Sequence, residues 1–268
     1  MGSRAVARPY NVSASVVGPR AWQMYVLSSQ MMKEITTMTD HVQTSGPFGT
    51  TVATAAERNK VMRNTYWLLA LSMLPTVLGA WIGVTTGITA SLSGGLGLIV
   101  FLGGAFGFMF AIEKTKNTAA GVPVLLAFTF FMGLMLSRML AGVLGFSNGS
   151  SLIMTAFGGT AGVFFVMANL STVIKRDLSG MSKWLFVGAL AIMVGAIVNV
   201  FVGSTAGMAA IATLAIIVFS LYLLYDLKRI VDGGETNYIS ATLGLYLSLF
   251  NIFQSLLALL GIFGGERD

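Results

Sequence analysis

One carboxylate, Asp226, occupies a position where acidic side chains are rare. It lies at the junction between a long apolar run, residues 207–225, and the polar stretch 227–238. A titratable carboxylate at the edge of hydrocarbon is costly and typical of proton sensing or ion handling. The alternative is a structural role, in which the carboxylate reaches the interface and pairs with the nearby Lys228 or Arg229.

A second group of polar residues follows in the next apolar run. Its members are Gly244, Ser248, Asn251 and Ser255, flanked by Tyr246 and Gln254. The helical spacing places the first four on one face of a helix. Polar groups in hydrocarbon must face partners or water, so this face is predicted to point into a helix bundle. Two interpretations stay open: the lining of a narrow polar path, and ordinary hydrogen bonding between helices.

The composition identifies the elements that position these groups. The chain is 55% hydrophobic and only 10% charged, with a mean hydropathy of +0.81. These values exclude a soluble domain and predict an all-α integral membrane protein. Seven apolar runs are each long enough to cross a bilayer. They cover residues 66–88, 94–112, 119–142, 151–173, 184–203, 207–225 and 241–263.

The basic residues predict the orientation of the chain, because Lys and Arg are retained on the cytoplasmic side. They fall in alternate connections: Arg58, Lys60, Arg63, Lys114, Lys116, Lys175, Arg176, Lys183, Lys228 and Arg229. The other connections contain none, and only Arg138 and Arg267 lie toward the opposite side. The N terminus is therefore predicted to be cytoplasmic and the C terminus outside, with Arg138 as an interfacial anchor. The same topology explains the high pI without a nucleic-acid partner.

Catalytic and metal sites are tested by elimination. The chain has no cysteine and one histidine, His41. The HExxH motif of zinc proteases, a serine and histidine within the bundle, a second carboxylate beside Asp226 and a GxxxxGK loop are all missing from the sequence. We predict a protein that is not an enzyme, with no catalytic residues, metal site or cofactor.

The first 57 residues form a separate region. They are polar, lack the pattern of a signal peptide, and are predicted to be a disordered cytoplasmic tail. Residues 58–268 are the predicted membrane domain. A polar segment that is typical of a cytoplasmic tail begins at Met38. We therefore hypothesise that Met38 is the true start of the protein.

Small residues recur at four-residue spacing in several runs. The positions are Gly79, Gly83, Gly87, Gly103, Gly107, Gly158 and Gly162. Such ladders predict close helix packing in lipid.

Four segments carry a resemblance to a known family. They are NKVMRNTYWLLALS (59–72), AFGGTAGVFF (156–165), IKRDLSGMSKW (174–184) and GGETNYISATLGLYLSLFNIFQSLLALLG (233–261). The chain resembles the Bax inhibitor-1/YccA family from about residue 58 to its end, and most closely the bacterial YccA branch. The resemblance implies six helices around a central, C-terminal seventh in the bacterial inner membrane.

For the family at large, the resemblance implies a pH-sensitive calcium leak gated by two aspartates and a nearby arginine. Asp226 matches the first aspartate, but Ser248 stands at the second, and a hydroxyl cannot share a proton between two carboxylates. The candidate sensing or gating residues are therefore Asp226, Ser248 and Asn251. The candidate basic partners are Lys114, Lys116, Lys228 and Arg229.

For the YccA branch, the resemblance implies a membrane protein that binds and modulates the ATP-dependent membrane protease FtsH. There the cytoplasmic N-terminal tail lets the protease engage the protein as a slow substrate. The polar tail and the serine at position 248 fit this branch. An FtsH modulator, surrounded by membrane lipid, is the leading hypothesis, and a calcium leak is the alternative.

Overall fold

The computed structural model describes residues 55–90, Leu92 and 94–266, and its only regular elements there are seven helices. They are α1 (Ala55–Thr86), α2 (Gly94–Thr115), α3 (Gly121–Leu144), α4 (Gly149–Val173), α5 (Met181–Val202), α6 (Thr205–Val231) and α7 (Tyr238–Gly264). All seven are long and apolar enough to span a membrane. The predicted all-α fold with seven transmembrane helices is confirmed for the described part of the chain.

The first helix begins earlier than its apolar run. Its 32 residues correspond to about 48 Å, which exceeds a hydrocarbon layer of about 30 Å. The additional turns carry Glu57, Arg58 and Lys60, so α1 continues as a charged helix beyond the apolar segment. The predicted boundary between residues 57 and 58 thus falls inside α1. The rest of the predicted tail, including Met38 and His41, lies outside the described residues.

Helices α1 and α3 pack with their backbones in contact. A Cβ atom built on Gly79 would lie 2.2 Å from the carbonyl oxygen of Phe130, and one on Gly133 would lie 2.1 Å from that of Thr76. Neither distance leaves room for any side chain. The ladder prediction is confirmed here for Gly79, and dispersion between the closely packed backbones holds the two helices together.

The ladder prediction is wrong for the glycines of α2 and α4. Cβ atoms built on Gly103, Gly107, Gly158 and Gly162 would meet no atom within 4 Å. Gly87 likewise packs against nothing and instead adopts a positive φ of 64° just after α1. Spacing identifies glycines that share a helix face, but the rotation of the helix in the bundle decides whether that face meets a neighbour.

The C-terminal helix α7 lies among the others. It packs against α1, α2, α3, α4 and α6. Its side chains Leu245, Ile252 and Leu257 are fully buried, whereas α5 buries a single residue, Leu185. These contacts place α7 within the core and α5 at its edge. The arrangement of six helices around a central seventh stays a prediction.

Large apolar side chains cover the outside of the bundle. Trp67, Trp184, Phe201 and Phe263 are each more than two thirds exposed. In water such a surface would aggregate, but in a bilayer it is the surface that contacts lipid.

Candidate functional site

Asp226 lies in the penultimate turn of α6 and faces α7. Its side chain is half-buried, and a Cβ atom built on Gly244 would lie 2.9 Å from its Oδ2 and 3.3 Å from its Cγ. The carboxylate therefore occupies a notch that exists because residue 244 lacks a side chain. The sequence placed Gly244 on the polar face of α7 but gave no sign of this close approach.

The two basic residues nearest to Asp226 in sequence pair with other carboxylates. Lys228 Nζ lies 2.6 Å from Asp232 Oδ1, and Arg229 Nη2 lies 3.1 Å from Glu235 Oε2. Asp232 reaches Lys228 through the i, i+4 spacing of the helix. The connection then turns back at Gly233, which has a φ of 78°, and this turn precedes Glu235, the partner of Arg229. Neither Lys228 nor Arg229 forms the ion pair with Asp226 that the structural alternative expected.

The two candidate partners on α2 are also engaged elsewhere. Lys116 pairs with Glu113 one turn earlier, and Lys114 Nζ lies 5.4 Å from the ring centroid of Phe110. Within the described part of the chain, no ion pair joins Asp226 to any of the four candidate bases. A sensing or gating role for Asp226 stays a prediction.

The polar face of α7 points inward, as its spacing predicted. Ser248 and Ser255 are buried, and Asn251 is half-buried. The Asn251 amide donates to the carbonyl oxygen of Leu247 at 2.8 Å, a bond within α7 itself. This bond supports neither of the two open interpretations, because it neither crosses to another helix nor lines a path.

Tyr246, predicted to flank the polar face of α7, provides a hydrogen-bonded link between helices. The Tyr246 hydroxyl lies 2.9 Å from the Thr76 hydroxyl of α1 and donates to the Thr129 carbonyl of α3 at 3.4 Å. Its ring lies edge-on to Phe128 and stacks on Phe250. A tyrosine deep in an apolar helix needs a partner for its hydroxyl. This requirement could have predicted from the sequence that Tyr246 links two helices.

Asn237 anchors the start of α7. Its side-chain oxygen accepts from the backbone N–H groups of Ile239 and Ser240, at 2.9 Å and 3.0 Å. Its amide nitrogen donates to the Lys116 carbonyl at 3.1 Å and to Asn117 Oδ1 at 2.8 Å, both just after α2. An asparagine before an apolar run is a typical helix N-cap, so the cap was predictable and the link to α2 was not.

The connection between α4 and α5 contains basic residues and one acidic residue, Asp177, that is held in place by hydrogen bonds. The Ser179 hydroxyl and backbone N–H both donate to Asp177 Oδ1, and these hydrogen bonds hold the pKa of Asp177 below its usual value. The exposed side chains of Lys175 and Arg176 precede it directly. Antiparallel helices bring this connection to the same end of the bundle as the start of α1 and the ends of α2 and α6.

A family of known proteins includes this chain. A family model described as "Inhibitor of apoptosis-promoting Bax1" matches residues 58–265. The chain belongs to the Bax inhibitor-1 family. The match covers all seven helices apart from the first three residues of α1, so the predicted family membership is confirmed.

Bacterial members of the Bax inhibitor-1 family resemble the chain closely. A protein of Escherichia coli K12 called "Modulator of FtsH protease YccA" is 38% identical over 210 residues, which are 78% of this chain and 92% of that protein. In a second strain of E. coli a protein called "Inner membrane protein YccA" matches equally well. A membrane protein of Vibrio cholerae is 37% identical over 206 residues, or 77% of this chain and 91% of its own. The chain is accordingly a multi-pass protein of the inner membrane.

Proposed function

We propose that this protein binds an FtsH-type membrane protease and modulates the degradation of other membrane proteins. One observation carries the proposal: the 38% identity to the E. coli modulator, which extends over 92% of that relative's length. The family match covers residues 58–265, which is nearly the whole helix bundle, so the proposed function belongs to the bundle as much as to any single residue. The proposed role is binding, with no reaction catalysed by this chain.

The position of the tail supports this role. The residues before Ala55 join the bundle at the end where the Lys- and Arg-rich connections lie. By the positive-inside rule this end is cytoplasmic, and the C terminus lies outside. An ATP-dependent protease pulls on polypeptide from one side of the membrane, so the tail is the segment proposed to engage it.

One deletion and one substitution separate the role of the tail from that of Asp226 in one experiment. Full-length protein is expected to co-purify with FtsH and to slow degradation of a second membrane substrate. Removal of residues 38–57 is expected to weaken this inhibition, and Asp226→Asn to leave it unchanged. Failure of the full-length chain to bind FtsH, or equal inhibition after the deletion, would contradict the proposal.

The alternative, a pH-sensitive calcium leak, is favoured by one observation. Asp226 is a half-buried carboxylate with no ion pair in the described part of the chain. Because Ser248 replaces the second carboxylate, any sensing falls to this single group. Asp226→Asn would then change calcium flux in proteoliposomes across a pH series, and absence of flux from the unaltered protein would rule the leak out.

A further inference from the structure

A cavity of about 490 Å³ opens at the end of the bundle away from the Lys- and Arg-rich connections. It lies among α2, α3, α5 and α7. Its apolar walls come from Leu98, Phe101, Met135 and Val200, and its polar groups include Arg138 and Gln254. The volume falls within the range of ordinary ligand sites.

Arg138 supplies a cation with spare hydrogen-bond donors. One of its nitrogens, Nη1, donates to the carbonyl oxygen of Leu92, and a guanidinium carries five N–H donors. No carboxylate pairs with it in the described ranges, although Glu266 lies at the same end of the bundle. Arg138 is also the one lysine or arginine that the described residues place toward this end. An unpaired cation here attracts an anion.

Gln254 supplies a second polar group in the same cavity. Its side chain is half-buried on α7, and none of the hydrogen bonds among the described residues involves its amide. An amide at membrane depth requires a partner, because hydrocarbon offers none. Arg138 and Gln254 come from different helices and line one cavity, so a single ligand can satisfy both.

The depth of Arg138 indicates the kind of ligand. The residue lies about 26 Å along α3 from Gly121, near the far side of a hydrocarbon layer of about 30 Å. Lipid phosphates lie just beyond that edge, within reach of a long arginine side chain, and a guanidinium binds phosphate oxygens through two parallel hydrogen bonds. The apolar walls suit the first segments of acyl chains, which free phosphate lacks.

We propose that this cavity binds the phosphate group of one anionic phospholipid, with Arg138 and Gln254 as donors. This goes beyond the interfacial anchor predicted for Arg138. An anchor contacts exchanging lipid, whereas the proposed site holds one defined lipid, with its phosphate at the exposed Arg138 and the rest against a cavity lined by four helices. The proposal is independent of FtsH binding.

Native mass spectrometry of the full-length protein in detergent tests the proposal, with phosphatidylglycerol as the probe and phosphatidylcholine as the neutral comparison. Arg138→Gln is expected to weaken phosphatidylglycerol binding about tenfold, the usual effect of losing a charge-assisted contact. Gln254→Leu is expected to weaken it by a smaller factor. Arg138→Lys keeps the charge but loses the paired hydrogen bonds, so its binding should lie between that of Arg138→Gln and that of the unaltered protein. Lys114→Gln is the matched control, because it removes the same charge at the other end of the bundle.

Three results would overturn the site. One is unchanged phosphatidylglycerol binding by Arg138→Gln, and another is an equal loss in Lys114→Gln. The third is displacement of the lipid by millimolar inorganic phosphate, which would assign the site to a free anion. Thermal unfolding of each variant shows that it is folded, and if Arg138→Gln does not fold, Gln254→Leu measured against Lys114→Gln decides the question.

Discussion

Two residues, Asp226 of α6 and Gly244 of α7, fit against each other where the two helices meet. The carboxylate of one fills the space left by the missing side chain of the other, with 2.9 Å between Oδ2 and a Cβ built on Gly244. The basic residues that follow Asp226 are engaged with Asp232 and Glu235. The surroundings of this carboxylate are thus set by the shape of α7 and not by a counter-ion.

Gly244→Ala is expected to destabilise the protein by about 1–2 kcal/mol, because the new methyl group displaces the Asp226 carboxylate. In an Asp226→Ala background the same substitution should have little effect, since the displaced group is gone. Thermal unfolding of the unaltered protein, the two single variants and the double variant in detergent measures this coupling. Additive effects of the two substitutions would show that the contact is unimportant.

Asn237 determines how two elements join. It caps α7 through its side-chain oxygen and holds the end of α2 through its amide nitrogen. One side chain therefore fixes both the start of a buried helix and its position relative to a neighbour.

Asn237→Ala is expected to cost about 2–3 kcal/mol, the combined effect of a lost N-cap and lost hydrogen bonds to α2. Asn237→Asp keeps an oxygen for the cap but has no amide to donate, so its loss should be about half as large. Unfolding midpoints compare the two variants. An aspartate variant as unstable as the alanine variant would show that the cap contributes nothing.

The contact between α1 and α3 depends on glycine at two positions. Backbone carbonyl oxygens occupy the space where side chains at Gly79 and Gly133 would begin. A backbone cannot move aside as a flexible side chain can, so substitution here must separate the helices.

Gly79→Ala and Gly133→Ala are each expected to destabilise the bundle by about 3 kcal/mol. Gly103→Ala and Gly158→Ala are the controls, because an added Cβ meets nothing within 4 Å there. Alanine also favours a helix over glycine, so the controls should be unchanged or slightly more stable. Equal losses at all four positions in an unfolding assay would contradict the packing described for α1 and α3.

At the scale of the whole molecule, positive charge is distributed unequally between the two ends of the bundle. Nearly all described basic residues lie at one end, together with the start of α1, while the other end has Arg138. The proposed orientation and the proposed engagement of the tail both rest on this asymmetry.

The orientation is directly measurable, because the chain contains no cysteine. Ala119→Cys places a thiol on the exposed connection between α2 and α3, and Ser150→Cys places one at the exposed start of α4. A membrane-impermeant thiol reagent added to intact cells is expected to label the second variant only. Labelling of Ala119→Cys alone would reverse the orientation and remove the cytoplasmic tail from the proposed function.

The sequence by itself determined the seven helices, the family and the absence of known catalytic motifs. A segment that crosses hydrocarbon must be apolar for about twenty residues and must satisfy its backbone hydrogen bonds within its own helix. Each span can therefore be recognised from the composition of its own segment. The inward direction of Ser248 also followed from local sequence, because helical spacing places the polar residues on one face and that face must avoid hydrocarbon. These properties depend on neighbours in sequence.

Only the tertiary structure decided which groups meet across helices. It paired Lys228 and Arg229 with Asp232 and Glu235, and it fitted Asp226 against Gly244. It left the regularly spaced glycines of α2 and α4 without a neighbour, and it brought Arg138 and Gln254 to one cavity. Each outcome depends on the rotation and crossing of helices that lie far apart in the chain. Periodicity gives the face of a helix, but packing with all its neighbours selects what that face contacts.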